Sequence, residues 1–229
     1  MQKVIVLTGA GISAESGIRT FRDAGGIWEQ HRIEDVATPK AWQHDPEMVL
    51  RFYNQRRQQL LQVQPNAGHR ALVELERSYD VQIITQNVDD LHERAGSRKV
   101  LHLHGELRKA RSERLDHLVY DWDGDIQLGD RCESGHQLRP HIVWFGEAVP
   151  LMETAVELVQ TADIFIIIGT SLQVYPAAGL MAYARRQISY FYIDPNPQLN
   201  WELQRLPNLT VIAEPAASGV PELVEELLS

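Results

Sequence analysis

The chain alternates short runs of apolar, β-branched residues with longer stretches whose apolar positions recur every three or four residues. Val4-Ile5-Val6-Leu7 is the first short run, and it predicts a buried parallel strand. It breaks into Gly9-Ala10-Gly11, where small residues permit a tight turn and close approach of a ligand. Further strands are predicted at Val81–Thr85, Val100–Leu103, Ile164–Ile168, Tyr190–Ile193 and Leu209–Ile212. Asp45-Pro46 opens a helix, with Asp as N-cap and Pro at the first helical position. Its Met48, Val49, Phe52, Tyr53, Leu60 and Leu61 fall largely on one face. Pro65-Asn66 ends that helix and caps the next, whose stripe is Ala67, Ala71, Leu72 and Leu75. Other helices are predicted near Met152–Gln160 and Ala177–Arg186. A C-terminal helix has Pro221 early and Leu223, Val224, Leu227 and Leu228 turned inward. Gly25-Gly26-Ile27-Trp28 reads as a loop with an aromatic anchor. The stretch from about Leu107 to Pro140 is charged and poor in apolar periodicity. It reads as an excursion from the main core and the least ordered part of the chain. Regular structure resumes at Ile142-Val143-Trp144-Phe145-Gly146.

Strands alternating with helices predict an α/β protein with a parallel sheet. At 229 residues the chain is one large domain, or a core with a smaller insert. In such sheets ligands collect beyond the carboxyl ends of the strands. Four predicted ends carry glycine or small polar residues: Gly9–Gly11, Gln86-Asn87, Gly169–Ser171 and Asp194–Asn196. Together they predict a polar crevice, with a nucleotide as its natural occupant. Gly9-x-Gly11-x-x-Ala14 fits a relaxed dinucleotide fingerprint, which places phosphate on backbone N–H groups near the turn. A dehydrogenase would next show a strand ending in an acidic residue ~20 positions on. Here a helical insert occupies that stretch.

Composition narrows the partners. Hydrophobic residues make up 44% and charged residues 23%, ordinary for a globular protein. The net charge of −9 argues against a general nucleic-acid backbone binder and leaves room for basic, lysine-bearing protein segments. No run approaches the ~18 apolar residues of a membrane span. The first strand begins within a few residues of Met1, so no signal peptide is expected. The single cysteine, Cys132, excludes an intramolecular disulfide and fits a reducing compartment. The cytoplasm is the expected location, and oligomeric state is not legible.

Four segments together carry a resemblance: Gly9-Ala10-Gly11-Ile12-Ser13, Thr85-Gln86-Asn87-Val88-Asp89-Asp90-Leu91-His92, His102-Leu103-His104-Gly105-Glu106 and Gly169-Thr170-Ser171. Their order and spacing resemble the sirtuins, the NAD-dependent protein-lysine deacylases, over nearly the whole chain. The resemblance implies a Rossmann-like core at about 1–27, 66–106 and 141–229. A smaller domain would come from inserts at about 28–65 and 107–140. NAD and an acyl-lysine peptide would meet between them. Cleaving the nicotinamide–ribose bond creates positive charge that the acyl carbonyl oxygen can capture. His104 is then implied as general base, acting through a ribose hydroxyl; a neutral imidazole suits this. His102, two residues earlier on the same strand face, is the rival by position, and the family motif selects His104. Asn87 and Asp89 would orient ribose and carboxamide, with Gln86 beside the ribose. Ser13, Arg22 and the Gly9–Gly11 amides, Ala10 included, would serve the pyrophosphate side, and Phe21 would wall the nicotinamide pocket. Gly169, Thr170, Ser171, Asp194, Asn196 and Ala216 would hold the adenosine half. Val143, Trp144, Phe145 and Gly146 resemble the peptide-docking strand, reached by β-augmentation.

Two further features bear on specificity and metal. Tyr53 and Arg56 stand at i and i+3 on one helix, so their side chains can meet. The Tyr-x-x-Arg pair resembles the mark of sirtuins that remove negatively charged acyl groups, since a guanidinium can take a succinyl or malonyl carboxylate bidentately. Many sirtuins close a structural zinc with two Cys-x-x-Cys pairs. This chain has only Cys132, with Ser112 about where a first-pair cysteine is expected. His117, Asp116 and His136 could join Cys132 only as a mixed, irregular set, so no zinc is expected. Packing by Leu118, Tyr120, Trp122 and Leu138 would hold the segment instead. The leading function is an NAD-dependent lysine deacylase. An ADP-ribosyltransferase and a catalytically idle NAD-binding module are the alternatives.

Overall fold

The structure is a computed structural model that describes residues 1–19, 27–28 and 31–229. In chain order, β1 (Lys3–Thr8) and the short α1 (Gly11–Ala14) precede a hairpin of β2 (Ile27–Trp28) and β3 (His31–Arg32). Then come α2 (Ile33–Val36), α3 (Pro39–His44), α4 (Pro46–Gln62), α5 (Ala67–Leu75), β4 (Asp80–Thr85), α6 (Leu91–Ala95) and β5 (Val100–His102). β6 (Gly105–Ser112), β7 (Val119–Asp121) and β8 (Leu138–Ile142) follow. The chain closes with α7 (Met152–Gln160), β9 (Ile164–Ile168), β10 (Ser189–Ile193), β11 (Leu209–Ile212) and α8 (Ala216–Leu228). No described helix is long and apolar enough to cross a membrane.

Six strands form one parallel sheet in the order β11-β10-β9-β1-β4-β5. Alternation along each strand sends its side chains to two cores. Ile5, Leu7, Phe165 and Ile167 pack on one face with residues of α7. Val4, Val6, Ile164 and Ile166 pack on the other with Leu72, Leu75, Leu223 and Val224 of α5 and α8. The chain runs from β1 out to β5 and then returns to the far side of β1, so β1 and β9 flank a topological switch point. Register aligns the strand ends: Thr8 pairs with Thr85 and Ile168, Thr85 with His102, and Ile193 with Ile168 and Ile212. One residue further on, Gly9, Gln86, Gly169 and Asp194 therefore stand along one rim.

The inserts build a second lobe. Asp45 caps α4 by accepting the Met48 N–H at 2.9 Å. Val49, Phe52, Tyr53 and Leu60 bury one face of α4 with Val36, Leu107 and Trp144. Leu50 points to a second core of Ala110, Ile126, Cys132 and Leu138. Three expected stripes are corrected. Leu61 is exposed because its neighbour Leu60 already holds the inward position, and Leu228 is exposed in the last turn of α8 although it shares a face with the buried Val224. Ala67 is exposed too, and Gly68 faces inward instead, where a Cβ would stand 2.8 Å from the Ala216 carbonyl oxygen.

The stretch expected as an excursion is a three-stranded antiparallel sheet, β7-β6-β8. A register shift between Glu106 and Ala110 interrupts β6, so its inward residues lose strict alternation and the strand is hidden in the sequence. Leu118, Tyr120, Trp122 and Leu138 do pack there. Ala177–Tyr183 is a 3₁₀ helix rather than an α-helix. Its ends close through i to i+3 bonds, Gly179 N–H to the Pro176 carbonyl and Ala184 N–H to that of Met181.

Candidate active site

A cleft of about 750 Å³ opens along the rim between sheet and second lobe. Its size suits a large ligand. The glycine turn after β1 lies directly against the turn after β9. A Cβ on Gly11 would sit 2.5 Å from the Gly169 Cα, and one on Gly169, whose φ is +61°, 2.4 Å from the Ile12 nitrogen. These glycines are needed so that two backbones can touch. That corrects the expectation for their amides: Gly9 N–H donates to the Ile168 carbonyl at 3.0 Å and Gly11 N–H to that of Gly169 at 2.8 Å. Both of these N–H groups are spent within the fold, while Gly9, Ala10 and Gly11 all line the cleft.

Asn87 is the hub of the rim. Its side-chain amide donates to the Gly9 carbonyl at 3.1 Å and to Ser13 Oγ at 3.2 Å, and its backbone N–H donates to Thr85 Oγ1. The side-chain oxygen is thereby left to the cleft. Ser13 gives its one proton to Asp89 at 2.9 Å, so it braces Asn87 against Asp89. Burial raises the pKa of Asp89, while the Leu91 amide and Ser13 act in the opposite sense. Gln86 crosses to Thr170 Oγ1 at 3.1 Å, and Tyr192 OH donates to the Thr170 carbonyl. Asp194 is buried and accepts the Asn196 N–H. Ser171 and Asn196 line the cleft with them.

The two histidines separate cleanly. His104 lies on the cleft, and its Nδ1 is 3.0 Å from the Gln86 carbonyl oxygen. That partner only accepts, so Nδ1 carries the proton and Nε2 keeps a lone pair. Burial lowers the pKa of His104, partly offset by the Gln86 bond, and keeps the ring neutral near pH 7. His102 sits beneath the rim, between the Asn87 carbonyl at 3.1 Å and Glu93 Oε1 at 2.8 Å.

At the other end, Tyr53 and Arg56 both line the cleft. Tyr53 is fully buried and accepts the Trp144 Nε1–H at 3.1 Å. Burial drives its pKa far up, so the phenol holds its proton. Arg56 is buried, with its guanidinium 5.8 Å from the Phe52 ring. Arg57 is buried as well but points elsewhere, donating to the Leu107 carbonyl at 2.7 Å and to Asn54 at 2.8 Å.

Val143, Trp144, Phe145 and Gly146 line the cleft without forming a strand. The N–H groups of Val143, Trp144 and Phe145 go to the His104 carbonyl, Glu147 and the Ala37 carbonyl. An edge ladder draws on outward N–H groups as well as carbonyls, and these three N–H groups are spent within the fold. Arg139 stacks 3.2 Å above the Trp144 ring and pairs with Glu147, which pins the segment. Ala216 is buried at the start of α8, and its neighbour Pro215 reaches the cleft in its place. Phe21 and Arg22 lie outside the described residues. Sequence reasoning missed the loop Gln173–Pro176 and Ala37, Leu107 and Glu147, all on the cleft. Only the apolar character of Leu107 beside a strand end could have signalled any of them.

Residues 9–176 match the Sir2 family. An NAD-dependent protein deacylase of Helicobacter pylori (strain ATCC 700392 / 26695) is 55% identical over 228 residues, covering 100% of this chain and 98% of the relative. One of Escherichia coli (strain K12) is 49% identical, covering 99% and 82%. Among solved structures, a Sir2 homolog–NAD complex superposes with a TM-score of 0.88 at 39% identity, covering 99% of this chain and 89% of that one. A Sir2 complex with a deacetylated p53 peptide and 3′-O-acetyl ADP-ribose gives 0.81 at 31% identity, covering 97% and 92%. The chain belongs to the Sir2 family, and its Rossmann-like core is that of the family.

Proposed function

We infer that this protein is an NAD-dependent protein-lysine deacylase. The observation that carries the reading is the pairing at the rim: a neutral His104 with its Nε2 lone pair on the cleft, beside an Asn87 whose side-chain oxygen is left for a ligand. NAD, when bound, supplies a nicotinamide–ribose bond whose cleavage makes a carbon electrophilic toward an acyl carbonyl oxygen. Asn87 and Asp89 hold the ribose–nicotinamide end, with Gln86 beside the ribose. Thr170, Ser171, Asp194 and Asn196 hold the adenosine end, and His104 Nε2 takes a hydroxyl proton. Mass spectrometry of acyl-lysine peptides incubated with NAD tests this. The wild type should release deacylated peptide, nicotinamide and O-acyl-ADP-ribose. His104→Ala should lose ~10²–10⁴-fold in turnover while NAD affinity changes little. Near-wild-type turnover in that variant would sink the assignment. Transfer of ADP-ribose to protein without deacylation would favour the transferase alternative.

The acyl group includes succinyl or malonyl as well as acetyl. Arg56 supports this finer reading, because it brings a buried guanidinium to the cleft wall one helical turn from the Tyr53 hydroxyl. Comparing Arg56→Met on succinyl- and acetyl-lysine peptides tests it. The second lobe is also metal-free in this reading: Cys132 lies against Ser112 at 3.5 Å, and Asp116 is engaged by Arg111 at 3.3 Å. Zinc needs four nitrogen or sulfur donors in a closed structural site, and this donor set does not fit.

A further inference from the structure

His102 is buried, yet both of its ring nitrogens face acceptors. Nδ1 is 3.1 Å from the Asn87 carbonyl oxygen and Nε2 is 2.8 Å from Glu93 Oε1. A carbonyl cannot donate, so Nδ1 must carry a proton. The remaining bond needs a proton on either Nε2 or Glu93. The Glu93 side chain is 41% exposed, and an ordinary imidazole outbids an ordinary carboxyl for a proton by about two pH units. The proton belongs on the ring, which makes His102 an imidazolium that donates at both ends.

We propose that His102, doubly protonated between Glu93 and the Asn87 carbonyl, is a positioning residue of the deacylase, and that loss of its second proton sets the alkaline limit of activity. His102 does not line the cleft and acts through the backbone of Asn87. The Asn87 peptide is gripped on both sides, its N–H by Thr85 Oγ1 at 3.0 Å and its carbonyl by His102. The same segment supplies the Gln86 carbonyl that fixes the His104 tautomer at 3.0 Å. One charged ring thus steadies both the Asn87 side chain and the base. Its ionisable surroundings are Glu93 and His92 on α6, Asp89 before α6, and Glu106 on β6, which Lys109 neutralises in part at 2.8 Å. Burial alone would discharge the ring, but Glu93 and Glu106 together raise its affinity for a proton above the ordinary range.

The sign follows directly. His104 must be neutral, so activity falls in acid; His102 must be charged, so activity falls in base as the ring passes through its raised pKa. Glu93→Gln keeps an acceptor and removes the charge. The alkaline limb of kcat/KM for NAD should then move down by roughly one pH unit or more, while the acid limb stays in place. At pH 8.5 the variant should lose about tenfold or more, the size expected for a charge-assisted hydrogen bond, and it should recover as pH falls toward 6. Nitrogen-15 NMR of the histidines in the wild-type protein gives an activity-independent check: both His102 nitrogens should be protonated at pH 6.5. An unmoved alkaline limb in Glu93→Gln, or a bare His102 nitrogen at pH 6.5, overturns the proposal. The inference rests on the deacylase reading, and the two fail separately. His104→Ala without activity and an unmoved limb would leave the reading intact and remove His102. No turnover of any acyl peptide would remove the reading, and the NMR would still decide the charge on His102.

Discussion

His102 and His104 are two residues apart and carry opposite protonation states, because one faces a carboxylate and a carbonyl and the other a carbonyl and the cleft. The same dependence on neighbours governs Arg56 and Arg57. Both are buried, but Arg57 spends its donors on Leu107 and Asn54 while Arg56 reaches the cleft wall. Burial lowers the Arg57 pKa to about 10, so it stays charged at neutral pH. Arg56→Met should therefore lose one charge-assisted contact to a succinyl carboxylate, ~1.5–3 kcal/mol, or roughly 10–150-fold in succinyl kcat/KM. Acetyl activity should stay within a few-fold, since that group offers no carboxylate. Equal losses on both peptides would mean that Arg56 supports the fold rather than reading the acyl chain. The sequence made His104 and the Tyr53–Arg56 pair legible, because each lies in a short local motif. Glu93 was not legible as a partner of His102. It sits on a different element, and only the turn from β4 through α6 to β5 brings the two together.

The second lobe is closed by side chains of its own. Ser112 Oγ accepts the N–H groups of Arg114 and Leu115 at 3.3 and 3.2 Å, which closes the turn after β6. Gln137 bridges the facing turn, taking the Gly129 N–H and donating to the Gln127 and Leu138 carbonyls. Ile126, Cys132 and Leu138 close the core beneath. We expect elemental analysis to find no stoichiometric zinc and chelator to leave activity and circular dichroism unchanged. Ser112→Ala should cost ~1–3 kcal/mol in urea unfolding, because it strips the acceptor from two amides at a buried position. Cys132→Ala should cost less, the small-hydrophobe loss expected for a buried thiol. About one zinc per chain, with Cys132→Ala then strongly destabilised, would overturn this. The lobe was the least legible part of the chain. Its bulge and its turn-closing side chains break the period-two pattern that marks a strand, whereas β1 and β9, buried on both faces, read as plain apolar runs.

At the scale of the molecule, the first and last thirds of the chain pair along β1 and β9 and stay in backbone contact just beyond the strand ends. Gly11 and Gly169 touch where the strand order reverses, with Gly11 N–H bonded to the Gly169 carbonyl at 2.8 Å. Sequence reasoning found both glycines but gave those after β1 to phosphate, since a local pattern cannot show a backbone arriving from more than a hundred residues away. The contact positions Ser13 on one side and Thr170 on the other, so the cofactor end of the cleft depends on it. A Cβ at Gly11 would meet the Gly169 Cα at 2.5 Å and its carbonyl oxygen at 2.8 Å. Both are backbone atoms, and no rotamer change can relieve the clash. Gly11→Ala should cost ~3 kcal/mol, the upper end for an added methyl that moves backbone, which in a domain of this size lowers Tm by roughly 6–12 °C. NAD affinity should fall together with stability, by tenfold or more, because separating the turns parts the Ser13 side from the Gln86–Thr170 bridge. Gly124 has open space around its Cβ position and no positive φ, so Gly124→Ala should leave both quantities within error and serves as the control. Thermal melts with and without NAD decide the matter. A Gly11→Ala protein with wild-type Tm and affinity would mean that the two turns bear on each other less than their spacing requires, and that the cofactor end is organised from the β4 side alone.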